Sequence, residues 1–301
     1  MKKVIILMST YNGEQYLREQ LESILSQTYK NVEVLIRDDG STDSTLKILK
    51  EYSGRYNNIS FYQGKNLKPA KSFLDLLCKV PCADFYAFCD QDDVWQNHKI
   101  EVAVTKLIES QSELYYSAYS TVDKYGNIIQ ENVNNHSHDD TLGNSFVDLA
   151  VTGCTMVFTR KLLEIITKSI PNEIMMHDSW IYKIALCMGF KVIYDKNAYI
   201  YYRQHDHNVI GAKKNLWNKW KGRFHRWFKR NENRRYKEIN ELFNSYVSIM
   251  PIESLNTIEP MIGYKEKNFI RRFQIAIQKV YRTGNWKLDI PFIMSVVAKR
   301  Y

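Results

Sequence analysis

Phe85-Tyr86-Ala87-Phe88-Cys89-Asp90-Gln91-Asp92-Asp93 runs five apolar residues straight into a turn with three carboxylates. A continuous apolar run of that length fits a strand covered on both faces, as in a parallel sheet. Charge has no place inside such a strand, but in open α/β sheets ligands bind beyond the carboxyl ends of the strands. The same pattern recurs upstream. Val4–Met8 leads into Ser9-Thr10-Tyr11-Asn12-Gly13, and Val32–Ile36 leads into Arg37-Asp38-Asp39-Gly40-Ser41. Helical spacing lies between these runs: Leu17, Leu21, Ile24 and Leu25 within Glu14–Gln27, and Leu46, Leu49 and Tyr52 within Ser44–Tyr52. Asp43 is placed to cap the second of these. Ile59–Tyr62 is a weaker strand, and Ala70–Lys79 a helix carrying Phe73, Leu74 and Leu77. The alternation predicts an α/β chain: a Rossmann-like, mainly parallel sheet flanked by helices.

Farther along, Leu114–Thr121, Cys154–Phe158 and Lys191–Tyr194 read as strands, Tyr199–Tyr202 is strand-like, and 123–144 reads as a polar loop. His177-Asp178 opens a helix through Ile181, Ile184 and Ala185. Strand signals stop after about residue 206, so 212–301 is predicted to be a basic, helical C-terminal extension. Leu216, Trp220, Phe224 and Trp227 recur at helical spacing within 213–235, with Lys219, Arg223, Arg226, Lys229 and Arg230 at other positions. Such a helix either packs on the core or lies in an anionic membrane interface as a peripheral contact.

Composition narrows the partners. Among 301 residues, Lys and Arg number 42 against 33 Asp and Glu, a net charge of +9 that favours an anionic partner. No nucleic-acid-binding module is recognisable, so nucleic acid is not expected. Five cysteines without a CxxC pair fit reduced thiols in the cytoplasm. The apolar run at Val4–Met8 is too short for a signal peptide, and no run of 18 apolar residues occurs, so neither export nor a membrane span is expected. No GxGxxG fingerprint is present, which disfavours a dehydrogenase.

The carboxylates suggest the chemistry. Asp90, Asp92 and Asp93 repel one another unless a cation sits among them, and Mg²⁺ or Mn²⁺ takes oxygen ligands shared with phosphates. The alternative is a solvated turn capping the next helix. Asp39 is placed to accept from the imide N–H of a pyrimidine, or to cap a helix. Tyr11 lies against a base, or is a partly buried loop ring. Arg203 and His205 are candidates to contact a diphosphate, and His205 also to reach the cation, against a surface Arg and a satisfied loop His. His136 and His138 read as solvated loop residues.

Met8-Ser9-Thr10-Tyr11-Asn12-Gly13, Ser26-Gln27-Thr28-Tyr29, Arg37–Asp43 and Phe88–Trp95 together resemble the family 2 glycosyltransferases, inverting enzymes with a glycosyltransferase A fold. His177-Asp178-Ser179-Trp180, Tyr202-Arg203-Gln204-His205 and Asn208-Val209-Ile210-Gly211 narrow the resemblance to bacterial rhamnosyltransferases of capsule and exopolysaccharide assembly. It covers about residues 1–211. It implies that Thr10, Tyr11 and Asp39 hold the nucleoside, that Asp90 and Asp92 form the metal-binding Asp-x-Asp motif with Asp92 the closer ligand, and that Asp178 is the general base. A helix cap is the other reading of Asp178. Residues 1–110 then form a nucleotide-sugar-binding half and 111–211 an acceptor-binding half of one catalytic domain. The implied partners are a nucleotide-diphosphate sugar donor, L-rhamnose on dTDP first, and a lipid-linked saccharide acceptor on the inner face of the cell membrane. Family members often have Gly and Asn within the stretch that here reads Asn66–Phe73, a departure that bears on the donor sugar, and Ser179 stands where a second aromatic is common. A nucleotidyltransferase and a non-catalytic assembly subunit are the competing readings. The first is disfavoured by the absence of GxG, the second by intact Asp39, Asp90, Asp92 and Asp178.

Overall fold

A computed structural model describes residues 1–134, 136, 138–172, 174–205 and 233–301. The chain forms two compact units. One comprises 1–136, 151–170 and 176–203, the other 137–150, 171–175 and 204–301.

The first unit is built on a nine-stranded sheet in the order β3 (Ile59–Gln63), β2 (Val32–Asp38), β1 (Val4–Thr10), β4 (Phe85–Cys89), β8 (Val157–Thr159), β6 (Leu114–Val122), β9 (Val192–Arg203), β5 (Val94–Trp95), with β7 (Ile128–Val133) against β6. The leading strands β1 to β4 run parallel, in the register Thr10↔Asp38, Met8↔Cys89 and Asp38↔Gln63. All three polar clusters therefore emerge at one edge. The rest of the sheet is mixed. Strands β5 to β9 pair antiparallel, except for the parallel β6–β9 pair.

The apolar runs account for the core. Val4, Ile6 and Met8 are sealed against Leu17 and Leu21 of α1 (Leu17–Leu25), Leu49 of α2 (Thr45–Arg55), and Ile100, Ala103 and Leu107 of α4 (Lys99–Ser110). Phe73 and Leu77 of α3 (Lys68–Lys79) are buried as well. Removing one such side chain to Ala costs about 2–5 kcal/mol. α1 starts at Leu17, three residues later than the sequence suggests, because the Gly13 carbonyl accepts from the amides of Tyr16 and Leu17 in a preceding turn. α4 ends at Gln111, whose left-handed backbone (φ 52°) satisfies the last carbonyls.

Several local expectations change. The polar stretch 123–144 contains β7 and the start of α5 (Leu142–Val147). The strand expected at Cys154 begins at Val157, after a 3₁₀ turn at Gly153–Thr155. Lys191–Tyr194 and Tyr199–Tyr202 are two ends of the single strand β9, whose register shifts near Asp195–Ala198. His136 is stacked on Tyr194 at 4.4 Å and His138 is buried, so neither is solvated. They belong to different units.

The second unit is helical in its C-terminal part: Arg234–Tyr246, Ile252–Ile258, Phe269–Ala276 and Trp286–Val297. Arg235 donates to the carbonyl of Val147, and the Tyr301 hydroxyl to that of Phe146. Gly143 lets the Val280 carbonyl approach to 2.0 Å from where a Cβ would stand. His207, Asn208–Gly211 and the basic aromatic stretch from Lys213 lie outside the described residues, up to Glu232. No described helix is long and apolar enough to cross a membrane.

Candidate active site

Thr10, at the end of β1, is buried; its carbonyl accepts from the Asp39 amide (2.8 Å) and its hydroxyl bonds Asp38 (3.1 Å). Asp38 also accepts from the amides of Gly40 and Ser41, so it builds the turn at the end of β2. Gly40 serves that turn with φ 82°.

Asp39 is 2% exposed and sits in a network. Its Oδ1 is paired with Arg37 and accepts from the Ser72 hydroxyl; its Oδ2 accepts from the amides of Leu67 (2.9 Å) and Lys68 (3.1 Å). Four donors match the roughly four lone-pair sites of a carboxylate. Asp39 thus fixes the Asn66-Leu67-Lys68 segment, in which Lys68 takes the left-handed conformation (φ 66°). Arg37 is locked in turn by Asp75, Ser72 and the Lys65 carbonyl.

Tyr11 is 48% exposed at the same edge. Its amide donates to Gln91 Oε1 (2.9 Å), and Gln91 Nε2 donates to its carbonyl (3.1 Å). Gln91, which sequence reasoning passed over, therefore ties the loop after β1 to the acidic turn after β4. Gly13 makes room for it: a Cβ there would lie 2.3 Å from Gln91 Oε1.

In the acidic turn, donor atoms of Asp90, Asp93 and Cys154 lie within 4.8 Å of one another. Burial pushes the Asp90 carboxyl up to about 7, helped by the like charges of Asp92 and Asp178. Asp93 is fully buried and pushed well above the usual carboxylate range by burial, Asp92 and Asp90. Its Oδ1 accepts from the Arg203 amide (3.1 Å), while its Oδ2 has no hydrogen-bond partner among the described residues. Crowded carboxylates with a buried, unsatisfied oxygen suit a cation. Oxygen donors suit Mg²⁺ or Mn²⁺ better than the Cys154 thiol does, so Asp90 with its acidic neighbours forms the fitting part of the set. Lys99, at the start of α4, is a buried positive charge nearby. It lies 3.5 Å over the Trp95 ring, and burial lowers it to about 8 against the opposing pull of Cys89, Cys154 and Asp93.

Asp178 stands in the first turn of α6 (His177–Cys187), and the cap position is Met176. Its Oδ2 accepts from the Gly153 amide (3.1 Å) and its Oδ1 from the Ser179 amide (2.7 Å). Its charge contributes to the elevation of Asp90, so fold topology brings residues 88 positions apart to one site. His177 beneath it is stacked on Phe73 (4.0 Å) and edge-on to Phe88 (4.8 Å), with neither ring nitrogen hydrogen-bonded among the described residues.

Arg203 ends β9, 2% exposed. Nε donates to the Asp92 carbonyl (2.9 Å) and Nη2 to Glu19 (2.6 Å), Nη1 reaches the Lys124 carbonyl (3.4 Å), and the guanidinium lies 4.7 Å from the Tyr16 ring centre. The guanidinium expected to face a diphosphate instead holds the acidic turn, with each of its three nitrogens bonded to a protein oxygen. Tyr202, just before it, is raised by burial and then by the charge of Asp90, which sets it beside the carboxylates. His205 lies in the second unit.

Known proteins resemble this arrangement. The chain is 32% identical over 221 residues to the dTDP-rhamnosyl transferase RfbG of Shigella flexneri, covering 68% of this chain and 74% of that protein. It is 30% identical over 120 residues to the UDP-Glc:alpha-D-GlcNAc-diphosphoundecaprenol beta-1,3-glucosyltransferase WfgD of Escherichia coli, covering 40% of this chain and about half (47%) of that protein. Among solved structures, residues 1–349 of S. aureus TarS in complex with UDP-GlcNAc superpose with a TM-score of 0.58 at 18% identity, over 99% of this chain and 91% of that one. A mannosyltransferase of Pyrobaculum calidifontis in complex with GDP-Man and Mn²⁺ gives 0.53 at 17%, over 99% and 87%. These neighbours share the glycosyltransferase A fold, a mixed sheet flanked by helices. The profile described as "Glycosyl transferase family 2" matches residues 5–199, and the chain belongs to that family.

Proposed function

We propose that this chain transfers a sugar, with inversion, from a nucleoside diphosphate to a hydroxyl of a lipid-linked saccharide in cell-surface polysaccharide assembly. The observation that carries it is the convergence of Asp178 on the Asp90–Asp93 turn at the edge where β1, β2 and β4 end. L-Rhamnose from dTDP-L-rhamnose is the proposed donor, supported by the extent of the likeness to RfbG. The lipid-linked acceptor is supported by the name of WfgD.

The acceptor hydroxyl attacks the anomeric carbon from the face opposite the diphosphate. A C–O bond forms, the bond to the diphosphate oxygen breaks, and the hydroxyl proton passes to the Asp178 carboxylate. The amides of Gly153 and Ser179 orient that carboxylate. Thr10, Tyr11 and Asp39 frame the nucleoside: Tyr11 offers an exposed ring, Thr10 and Asp39 the rigid floor. An imide N–H reaches Asp39 only by replacing one of its four present donors, and the Lys68 amide is the longer of the two bonds on Oδ2. Asp90 and Asp92 would hold Mg²⁺ or Mn²⁺, which neutralises charge on a departing diphosphate. Arg203 keeps the Asp92 main chain in place. The enzyme would work in the cytoplasm, peripheral to the inner face of the membrane.

The test is release of free nucleoside diphosphate from a panel of nucleotide sugars, with Mg²⁺, Mn²⁺ or EDTA. Asp178→Asn is expected to retain donor binding and lose roughly 100-fold or more of turnover, the usual worth of a positioned base. Near-wild-type turnover in that variant would remove Asp178 from the mechanism.

A further inference from the structure

The second unit carries an apolar surface that the proposed chemistry does not use. In the helix Phe269–Ala276, Ile275 and Ala276 are buried, while Phe269 (63% exposed), Ile270 (67%) and Phe273 point outward, continued by Ile277. Positions 269, 273 and 277 are one helical turn apart, with 270 beside them, so they form one stripe. In Trp286–Val297, Asp289, Phe292 and Val296 face inward, and Trp286 (63% exposed), Ile290 and Met294 repeat at i, i+4 and i+8 on the outside. The Arg272 guanidinium donates to the Val297 carbonyl (2.8 Å), which ties the two helices together. A helix apolar on both sides is expected to be covered.

The charges around these stripes indicate what covers them. Residues 262–301 hold nine Lys and Arg against two Asp and Glu. Lys267, Arg271, Lys279, Arg282 and Lys287 are exposed; of the two acids, Asp289 is buried and bonded to Thr283. A second copy seated on this face would set like charges against each other. An anionic bilayer takes both components: aromatic and aliphatic side chains enter the interface, and Lys and Arg meet the headgroups. We propose that the outward stripes of Phe269–Ala276 and Trp286–Val297 are the surface by which this chain lies on an anionic membrane. This extends the lipid-linked acceptor reading, but it is measured without sugar transfer, so either can fail alone.

The full chain is sedimented with vesicles of phosphatidylglycerol and phosphatidylethanolamine, and with vesicles of phosphatidylcholine alone. Binding is expected only to the former, and it weakens as salt rises. Phe269→Ser/Ile270→Ser/Trp286→Ser is expected to bind roughly 10-fold or more weakly, and Arg271→Glu/Lys287→Glu to lose binding with the apolar stripe intact. Where the triple variant fails to fold, brominated lipid should quench wild-type tryptophan emission, and the conservative Trp286→Phe should remove part of that quenching. No binding by the wild type overturns the proposal. So does a folded triple variant that binds undiminished, or quenching unchanged in Trp286→Phe. A wild-type dimer that the triple variant dissociates, with vesicle binding unaltered, would assign the face to self-association instead.

Discussion

Gly13 and Gln91 illustrate how single residues shape the site. A methyl group at Gly13 collides with the Gln91 amide, and Gln91 carries both hydrogen bonds to the Tyr11 main chain. Gly13→Ala is therefore expected to raise the KM for donor several-fold, since Tyr11 loses its tether. Adding Gln91→Ala should recover stability without recovering KM, and recovery of both would separate Tyr11 from donor binding. His177 gives a pH signature. Burial among Phe73, Phe88 and the Gly153 backbone lowers its imidazole to about 3, below the ordinary value near 6.5. The folded state thus resists protonation that the unfolded chain accepts. Stability from this group is complete above pH 6.5 and is lost as pH falls towards 3, by up to about 1.4 kcal/mol per pH unit. His177→Phe keeps a ring there and removes the titration. Urea melts at pH 5, 6 and 7.5 should show the variant gaining on the wild type as pH falls; parallel profiles would contradict the assignment.

At the scale of elements, legibility followed burial. β1, β2 and β4 are mostly apolar in sequence because most of their side chains are buried, and they appear where expected. β7 was not legible, since it lies on β6 alone and reads Ile-Ile-Gln-Glu-Asn-Val with most side chains exposed. β9 reads as two pieces because Asp195-Lys196-Asn197 interrupts it; Asp195 is satisfied there by Lys106, from α4. The three polar clusters were visible as strand ends. The arrangement behind them was not: Arg203 draws on Asp92, Lys124 and Glu19, which lie 111, 79 and 184 positions away. Pattern reading sees neighbours along the chain, and this clamp joins β9, α1 and two turns. Arg203→Lys keeps the charge but loses the fork. It is expected to cost about 1–3 kcal/mol and to raise the Mn²⁺ concentration needed for half-maximal donor binding, read by calorimetry. A melt and a Mn²⁺ titration both like wild type would argue against the clamp.

For the whole molecule, the carboxylate cluster leaves a cost in the absence of a cation. The charge of Asp92 raises Asp90 and Asp93, Asp90 raises Asp93 in turn, and Lys99 opposes this burial of charge only through Asp93. A bound divalent ion should therefore stabilise the protein as well as serve transfer. At 100 times its dissociation constant a ligand adds about 2.7 kcal/mol, a rise of a few degrees in Tm for a chain of this size. Differential scanning fluorimetry with Mn²⁺ should show that rise in the wild type and not in Asp90→Asn; equal shifts in both would place the ion elsewhere. The Arg203 clamp also bears on how such sequences drift. Neutralising Glu19 alone removes the carboxylate from a buried guanidinium, and replacing Arg203 alone takes a donor from the Asp92 carbonyl. Among natural variants, positions 19 and 203 should change in concert, and an alignment in which they vary independently would mean that the tie is dispensable.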